Sequence, residues 1–325
     1  MPVESQAGLK AEVTYGLDVT VNRFFEFNKC NIEEERKRIE AVGLRASQRV
    51  QRSDRFVAYM AGAKGSVEFN PLSKGLGIWL GLCLGTVTTA GPTDSSYTHT
   101  ATVASLTDDM FTFQKNDYDV SSANQAQTCK GGKVTAWEFS CAADGLLESM
   151  IEMDFQDVTR GTALASASYP SGTVELFSFV GGGVTYQGSA LPVKDWKIQV
   201  DNGLDTGRYK IKSSALKQIP VESKMREITW EATIDWDGLT QYNRFASTAG
   251  TGVGGTMVAT FTAPTLLGTA TYPSLTITIP YARLDKMPLE VDANGLLQSK
   301  ISGRGLYDGT NSPVTVAYVS GDTTP

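Results

Sequence analysis

Apolar and polar residues alternate along several short segments of the chain, most clearly in its second half. One such segment carries Ile228, Trp230, Ala232, Ile234 and Trp236 at every second position. Residues 196–200 and 275–279 repeat the pattern. A period of two places one side of a β-strand on a core and the other in water or against a partner. We therefore predict a mainly β protein with antiparallel strands.

Two segments break this period and have the spacing of short helices. Their apolar residues recur at intervals of three and four, which places them on one helix face. We expect one short flanking α-helix in each half of the chain. The predicted core-facing residues of these outer helices are Leu76, Trp79 and Leu80 in the first and Leu239 and Tyr242 in the second.

The chain also repeats itself. The segment ADGLLES at residues 143–149 returns as ANGLLQS at residues 293–299. Three further matches keep the same order along the chain with a steadily changing offset, which favours an internal duplication over chance. They pair FFEFNKCNI (24–32) with WKIQVDNGL (196–204), GSVEF (65–69) with EATID (231–235), and GLGIW (75–79) with GLTQY (238–242).

The repeat predicts two tandem units, residues 1–165 and residues 166–325. Each would be an antiparallel β-sandwich or half-barrel with one short flanking helix, because a sheet with one apolar face must bury it against a second layer. Such a period is too long for a solenoid of short repeats.

Each unit also contains a long charged connection between its first two matched strands. These are Asn31–Arg55 and the shorter Leu204–Lys224. Loops of this length are usually functional or disordered. The run EEERKR at residues 33–38 has the spacing for helical ion pairs, Glu33 with Arg36 and Glu34 with Arg38.

Charge and composition narrow the function classes. The net charge is −6, from 29 Lys and Arg and 35 Asp and Glu residues, so no general basic face for gripping nucleic acid is expected. The polar start and the lack of a run of about 18 apolar residues predict neither a secretory signal nor a membrane span. Four cysteines without CxxC spacing are interpreted as reduced, structural thiols.

Catalytic chemistry has few candidates. His99 is the only histidine and is expected in a solvated polar loop, which leaves little for a histidine-based triad or a zinc site. The pairs Glu148/Glu152 and Asp235/Asp237 have the residue types of an acid and a base. On alternating strands such carboxylates more often mark a solvated face, and in a ring they would line a channel. We expect no catalytic, cofactor or metal site.

Glycines at 250, 252 and 255 match a dinucleotide-binding pattern by letter only. That motif needs a strand before it and a helix after it, whereas here a helix-like segment precedes and a strand-like segment follows. We interpret the stretch as a flexible hairpin connection.

The order of these segments resembles the tail tube proteins of long-tailed bacteriophages. The likeness rests on FFEFNKCNI, the charged loop, GLR (43–45), GSVEFN and the helix GLGIWLGLCLG, with DWKIQVDNGLDTG and ITWEATIDWDGL as a second copy. The second copy lacks the GLR motif and has a more polar helix. The resemblance implies a structural virion protein rather than an enzyme.

In that family six sandwich domains form a ring, the inner sheets join into a barrel wall, and rings stack into a tube that conducts DNA. The resemblance implies that the two charged loops reach into the next ring. The candidate inter-ring residues are Glu33, Glu35, Arg36, Arg38, Arg45 and Arg49.

Two units per chain predict a ring of three chains with pseudo-sixfold symmetry; six chains per ring is the alternative. Expected partners are further copies and other tail proteins, namely tape measure, tail terminator and distal tail proteins, with DNA passing through unbound. The expected location is the virion tail, after assembly in the host bacterial cytoplasm. Alternative functions are a β-sandwich enzyme acting on carbohydrate or peptide, and a tandem adhesion or binding module.

Overall fold

The computed structural model describes residues 5–121, 123–212, 214–236, 238–247, 254–289 and 297–325. Antiparallel β-strands dominate it, which confirms the predicted fold class. In the first half the elements are β1 (Gln6–Ala11), β2 (Arg23–Phe25), β3 (Lys29–Glu40), β4 (Phe56–Phe69), α1 (Gly77–Leu84), β5 (Gly85–Thr93), β6 (Ser96–Val103), β7 (Phe111–Tyr118), β8 (Asn124–Ala142), β9 (Glu148–Phe155) and β10 (Asp157–Arg160). In the second half they are β11 (Gly182–Tyr186), β12 (Ser189–Ala190), β13 (Val193–Asp201), β14 (Leu204–Asp205), β15 (Val221–Glu222), β16 (Glu227–Asp235), α2 (Leu239–Phe245), β17 (Gly254–Thr262), β18 (Ser274–Lys286), β19 (Gln298–Gly305) and β20 (Thr315–Ser320).

Eight strands form one continuous antiparallel sheet, which we call the long sheet. Their order is β3-β4-β9-β8-β13-β16-β19-β18. Each half of the chain contributes four neighbouring strands. The halves meet where β8 pairs with β13, over residues 136–142 and 195–201. The segments 196–200 and 228–235 that alternate in the sequence therefore lie side by side.

A second layer covers the apolar face of the long sheet. In the first half its order is β2-β1-β7-β8-β10, and in the second it is β12-β11-β17-β18-β20, continued by β6 and β5. The strands β8 and β18 belong to both layers, since sandwich corners are made by strands that switch sheets. Aromatic rings meet between the layers. Phe111 lies 5.8 Å from Phe155 and Tyr186 lies 5.9 Å from Trp230, measured between ring centroids.

The two halves share their strand pairings and also their irregularities. The ladder of β7 with β8 shifts register between Phe111 and Phe113, and that of β17 with β18 shifts between Gly255 and Met257. A second shift falls between Val134 and Ala136 in β8, and between Leu284 and Lys286 in β18. β-bulges locally bend and twist a strand. Each half therefore bends its longest strand at the matching place.

Strand register corrects two of the sequence matches. Phe69 pairs with Ser149, and Ile234 pairs with Ser299, so Phe69 corresponds to Ile234 rather than to Asp235. Both Phe69 and Ile234 are buried, as side chains on one face of a strand must be. The match of residues 24–32 with 196–204 is also wrong. Phe24 lies in β2 and pairs with β1, whereas residues 196–201 lie in β13 between β8 and β16.

One hydrophobic cluster includes buried residues of both halves. The C-terminal strand β20 adds to this continuity, because it lies between β18 of the second half and β6 of the first. His99 lies on β6 and is fully buried, so the expected solvated loop is wrong. Its Nε2 lies 3.0 Å from the Asp322 carbonyl oxygen and its Nδ1 lies 2.9 Å from the Thr89 hydroxyl. A carbonyl only accepts, so Nε2 carries the proton.

The two helices differ in their environments. Leu76, Trp79 and Leu80 are at most 3% exposed, and α1 is buried by other parts of the chain rather than lying outermost. On α2, Leu239 is 60% and Tyr242 39% exposed. The expectation that Leu239 and Tyr242 pack into a core is wrong in the isolated chain. The helix α2 is more polar than α1 and none of its residues is fully buried.

Candidate functional site

The long sheet has one face on the core; the other, which we call the polar face, is open except where the loop carrying Lys217 covers Asp154. Outside the bulges of β8 and β18 the strands of this sheet alternate, so charged residues collect there. Acidic residues outnumber basic ones. The acidic residues are Glu33, Glu35, Glu68, Glu138, Glu148, Glu152, Asp195, Asp201, Glu227, Glu231, Asp235 and Asp285, and the basic ones are Lys29, Lys64, Lys197, Arg283, Lys286, Lys300 and Arg304.

Most basic residues of the polar face are already paired. Lys197 lies 2.6 Å from Glu138 and Lys300 lies 2.8 Å from Glu231, both measured between nitrogen and oxygen. Within the described part of the chain, Glu148, Glu152 and Asp201 have no ion-pair partner. Exposed pairs of this kind contribute little stability, about 0–1 kcal/mol. Because the acidic residues outnumber the basic ones, the polar face keeps a net negative charge.

A β-hairpin projects beyond the long sheet. Only the half of β4 that follows Gly62 pairs with β9, while β3 and β4 continue their own ladder out to Glu40 and Phe56. We call residues 36–56 the arm; apart from the half-buried Arg52, all of them are exposed. The first part of the predicted loop Asn31–Arg55 is thus strand, since β3 runs to Glu40, and residues 41–55 form the connection to β4. The alternative helical pairing in residues 33–38 is wrong, because these residues extend β3.

The arm exposes large apolar side chains. Val42 is 90%, Leu44 104% and Val50 83% exposed, and Ile39 and Phe56 are also about half exposed. Contiguous exposed apolar groups mark interaction surfaces. Sequence reasoning missed these residues because they are scattered among charges. The signal available in the sequence was the presence of Val42, Leu44 and Val50 within an otherwise polar, charged segment.

The six candidate inter-ring residues do not lie together. Glu33 and Glu35 belong to the polar face, where Glu35 Oε1 lies 3.2 Å from Lys64 Nζ. Arg36 Nε donates to Glu34 at 2.6 Å, and the Arg38 guanidinium stands 5.5 Å from the centre of the Phe56 ring. Arg45 and Arg49 lie exposed at the tip of the arm.

The second charged connection behaves differently. Residues 204–224 form the short pair β14–β15, and the loop between them packs against β4 and β9 of the first half. Lys217 Nζ donates to Asp154 Oδ1 at 2.5 Å, with both side chains 1% exposed. Tyr209 donates its hydroxyl proton to the Ala61 carbonyl at 2.9 Å. In the isolated chain this loop therefore holds the second half against the first, whereas the arm projects away.

Lys133, on β8, is a second buried cation. Lys133 Nζ donates to the carbonyl oxygens of Leu106 and Thr107, the latter at 2.9 Å. Burial lowers the pKa of Lys133 to about 8, and nearby Asp109 opposes that shift. Partial burial raises the pKa of Asp109 to about 6.

Catalytic geometry is not assembled at the candidate carboxylates. Glu148 and Glu152 lie on one strand four residues apart, about 13 Å along it. Asp235 contacts Lys194 and Gln298, and Asp237 lies outside the described residues. Among the described residues no group of three or more His, Cys, Asp or Glu is placed to hold a metal ion. The described helices include none that is long and apolar enough to cross a membrane.

Most of the glycine pattern near residue 250 also falls outside the described residues. Gly254 and Gly255 begin β17, so a strand follows the pattern as expected. The four cysteines are free thiols, three of them buried.

Comparison with protein families adds the deciding observation. A family model described as phage tail tube protein matches residues 3–280, most of the chain and parts of both halves. The chain belongs to the phage tail tube protein family. No curated protein matches it. This tail tube protein is a structural component of a phage tail, with a mainly antiparallel β fold.

Proposed function

We propose that this tail tube protein assembles into rings that stack into the hollow tube through which phage DNA leaves for the host. The observation that carries the proposal is the long sheet, which ends in two unpaired strand edges within the described part of the chain. Exposed edges in a monomer invite association, and closure into a barrel removes them.

The chain contributes two ring units, residues 1–165 and 166–325. Support comes from the matching strand pairings and from register shifts at equivalent positions in both halves. Each half adds four neighbouring strands to the long sheet. Three chains then make a ring with pseudo-sixfold symmetry, whereas six chains would be needed if only one unit entered the ring.

The polar face lines the lumen. Its excess of carboxylates creates a negative potential that repels phosphates, so DNA slides past without specific binding. Exposed ion pairs such as Lys300 with Glu231 limit the size of that potential. The opposite face cannot serve this purpose, because it is buried in the core.

The arm connects successive rings. Val42, Leu44 and Val50 are almost fully exposed, and burying them against the next ring removes apolar surface from water. The tube ends would meet other tail proteins, namely the tape measure, tail terminator and distal tail proteins. Assembly occurs in the host bacterial cytoplasm, and the product resides in the virion tail.

Electron microscopy of the purified protein tests the proposal. We expect hollow rings or tubes on raising protein concentration. A protein that stays monomeric at every concentration, and in the presence of pre-formed tail tips, contradicts it. Hydrolysis of a carbohydrate or peptide by that monomer would favour the enzyme alternative instead.

A further inference from the structure

The two open edges of the long sheet are specific segments. On β3, residues 29–35 pair with β4 on one side only. On β18, residues 284–286 pair with β19 on one side only. Neither has a second strand partner among the described residues. Unpaired backbone groups in a strand edge are a template for another strand.

The chain already contains one junction between its halves. There, β8 pairs antiparallel with β13, with Ala136 opposite Asp201 and Phe139 opposite Ile198. Phe139 is 4% exposed and Ile198 is fully buried, so the junction is closed on its core side. The pairing and register of this junction can therefore be applied to the equivalent strands of two different chains.

The equivalent of β8 is β18. The register shift between Val134 and Ala136 matches that between Leu284 and Lys286, which sets Ala136 equivalent to Lys286. Three residues further on, Phe139 is then equivalent to Leu289.

The equivalent of β13 is β3. Phe69 and Ile234 are equivalent through their serine partners on β9 and β19. One residue earlier, Glu68 pairs with Lys29 and Thr233 pairs with Asp195. Counting along the unbroken ladders makes Glu35 equivalent to Asp201 and Ile32 equivalent to Ile198.

We infer that β3 of a second copy pairs antiparallel with residues 284–289 of the first, with Lys286 opposite Glu35 and Leu289 opposite Ile32. This inference rests on the proposed ring function and adds which edges meet and in which register. The partner is a second copy of this chain, because the internal junction is built from the equivalent strands.

The chemistry of the two edges fits this pairing. Lys286 is exposed and has no ion-pair partner in the described chain, and Glu35 stands on the same polar face. Leu289 is 40% exposed and Ile32 half-buried, whereas their counterparts Phe139 and Ile198 are buried. Directly opposed cross-strand pairs of opposite charge or of apolar groups stabilise a sheet. Glu35 already lies 3.2 Å from Lys64 Nζ, so the pairing gives Lys286 a carboxylate neighbour and covers apolar side chains on both edges.

Disulfide trapping in the full-length chain tests the register. The variant Lys286→Cys/Glu35→Cys is prepared with Cys30→Ser, which removes the least buried native thiol. Directly opposed residues have Cβ atoms about 4.5–5.5 Å apart, near the span of a disulfide. Oxidation of assembled protein should give covalent multimers on a non-reducing gel, ending at the number of chains in one closed ring.

The matched control is Lys286→Cys/Glu33→Cys, also with Cys30→Ser. In the inferred register this pair is diagonal, about 7–8 Å apart, and should cross-link at least about tenfold less. Rings or tubes that form while both pairs cross-link equally poorly would overturn the inference and leave the proposed function standing. A protein that forms no rings under any condition overturns both.

Charge reversal gives a second readout that does not depend on cysteine geometry. Glu35→Lys and Lys286→Glu should each lower the fraction of protein in rings, because like charges then face each other. The combined variant should recover assembly towards the wild-type level. Additive losses in the combined variant contradict the pairing.

Discussion

At the residue scale, alternation along each strand predicted burial well, whereas contacts distant in sequence were invisible. Trp230 and Ile234 lie in the core as their period indicates. The buried pair of Lys217 and Asp154 could not be predicted, because the two residues are 63 positions apart and belong to different halves. The same holds for His99, whose polar neighbours in sequence suggested a loop. Its position on a buried strand is set by β20, more than 200 residues later.

The Lys217–Asp154 pair should be important for stability. Lys217→Met leaves the Asp154 carboxylate buried without its cation, and breaking such a pair costs about 3–5 kcal/mol. Chemical denaturation should show this loss in the free energy of unfolding. Lys217→Met/Asp154→Asn removes both charges and should recover a large part of it. The control Glu68→Gln removes a carboxylate from the solvent-accessible pair with Lys29 and should shift stability by less than about 1 kcal/mol. Equal effects at the two sites contradict the account.

Asp109 should make stability depend on pH. Its pKa in the folded chain is raised to about 6 by burial, above the ordinary value of 3.8. A carboxyl with a raised pKa stabilises the fold fully below pH 4, and this contribution is lost as the pH rises through about 6. Denaturation of wild type and Asp109→Asn between pH 4 and 7 should show the wild type losing stability relative to the variant. Parallel curves would contradict the assignment.

At the element scale, strand identity and order were predictable, but register and strand length were not. The matched segments located β4, β16 and β19, yet the match between β4 and β16 was off by one residue, which pairs the buried Phe69 with the polar Asp235. Pairing to β9 and β19 decides the register, and that information is nonlocal. Residues 31–40 were assigned to a loop because their many charges conceal the strand period of β3. The exposed helix α2 shows that helical spacing alone does not establish burial.

The arm should be needed for stacking and dispensable for folding. Val42→Ser/Leu44→Ser/Val50→Ser removes its exposed apolar groups, so we expect rings that no longer stack and an unchanged free energy of unfolding. Electron microscopy would count tubes against single rings. The matched control is Val13→Ser/Val120→Ser/Met225→Ser, which changes three equally exposed apolar residues elsewhere. Tubes from the arm variant, or loss of tubes in the control, would contradict the role of the arm.

At the scale of the whole molecule, the sequence predicted a repeated β unit and a tail tube resemblance, and the family match supports the resemblance. The junction of β8 with β13 could not be predicted, because neither strand carries a signal for its partner. That junction makes the two halves one sheet with a single polar face and two open edges within the described residues. The candidate site is therefore the polar face and the open edges of that sheet rather than a pocket, and we propose that assembly completes it.

The polar face should govern the passage of DNA. Glu148→Lys/Glu152→Lys reverses two unpaired carboxylates there, and bound phosphates should then slow DNA release from phage carrying the variant. The control Asp18→Lys/Glu26→Lys makes the same charge change at exposed positions off the polar face. Tubes should form in both cases. DNA release that is slowed equally by the two variants would contradict the lumen assignment.

The most direct test is the mass of a single isolated ring, measured by native mass spectrometry. Two units per chain and one shared sheet predict three chains, three times the 35.0 kDa chain mass. Symmetry in images of the same rings should appear close to sixfold. A ring of six chains would contradict the claim that both halves of the chain build the wall.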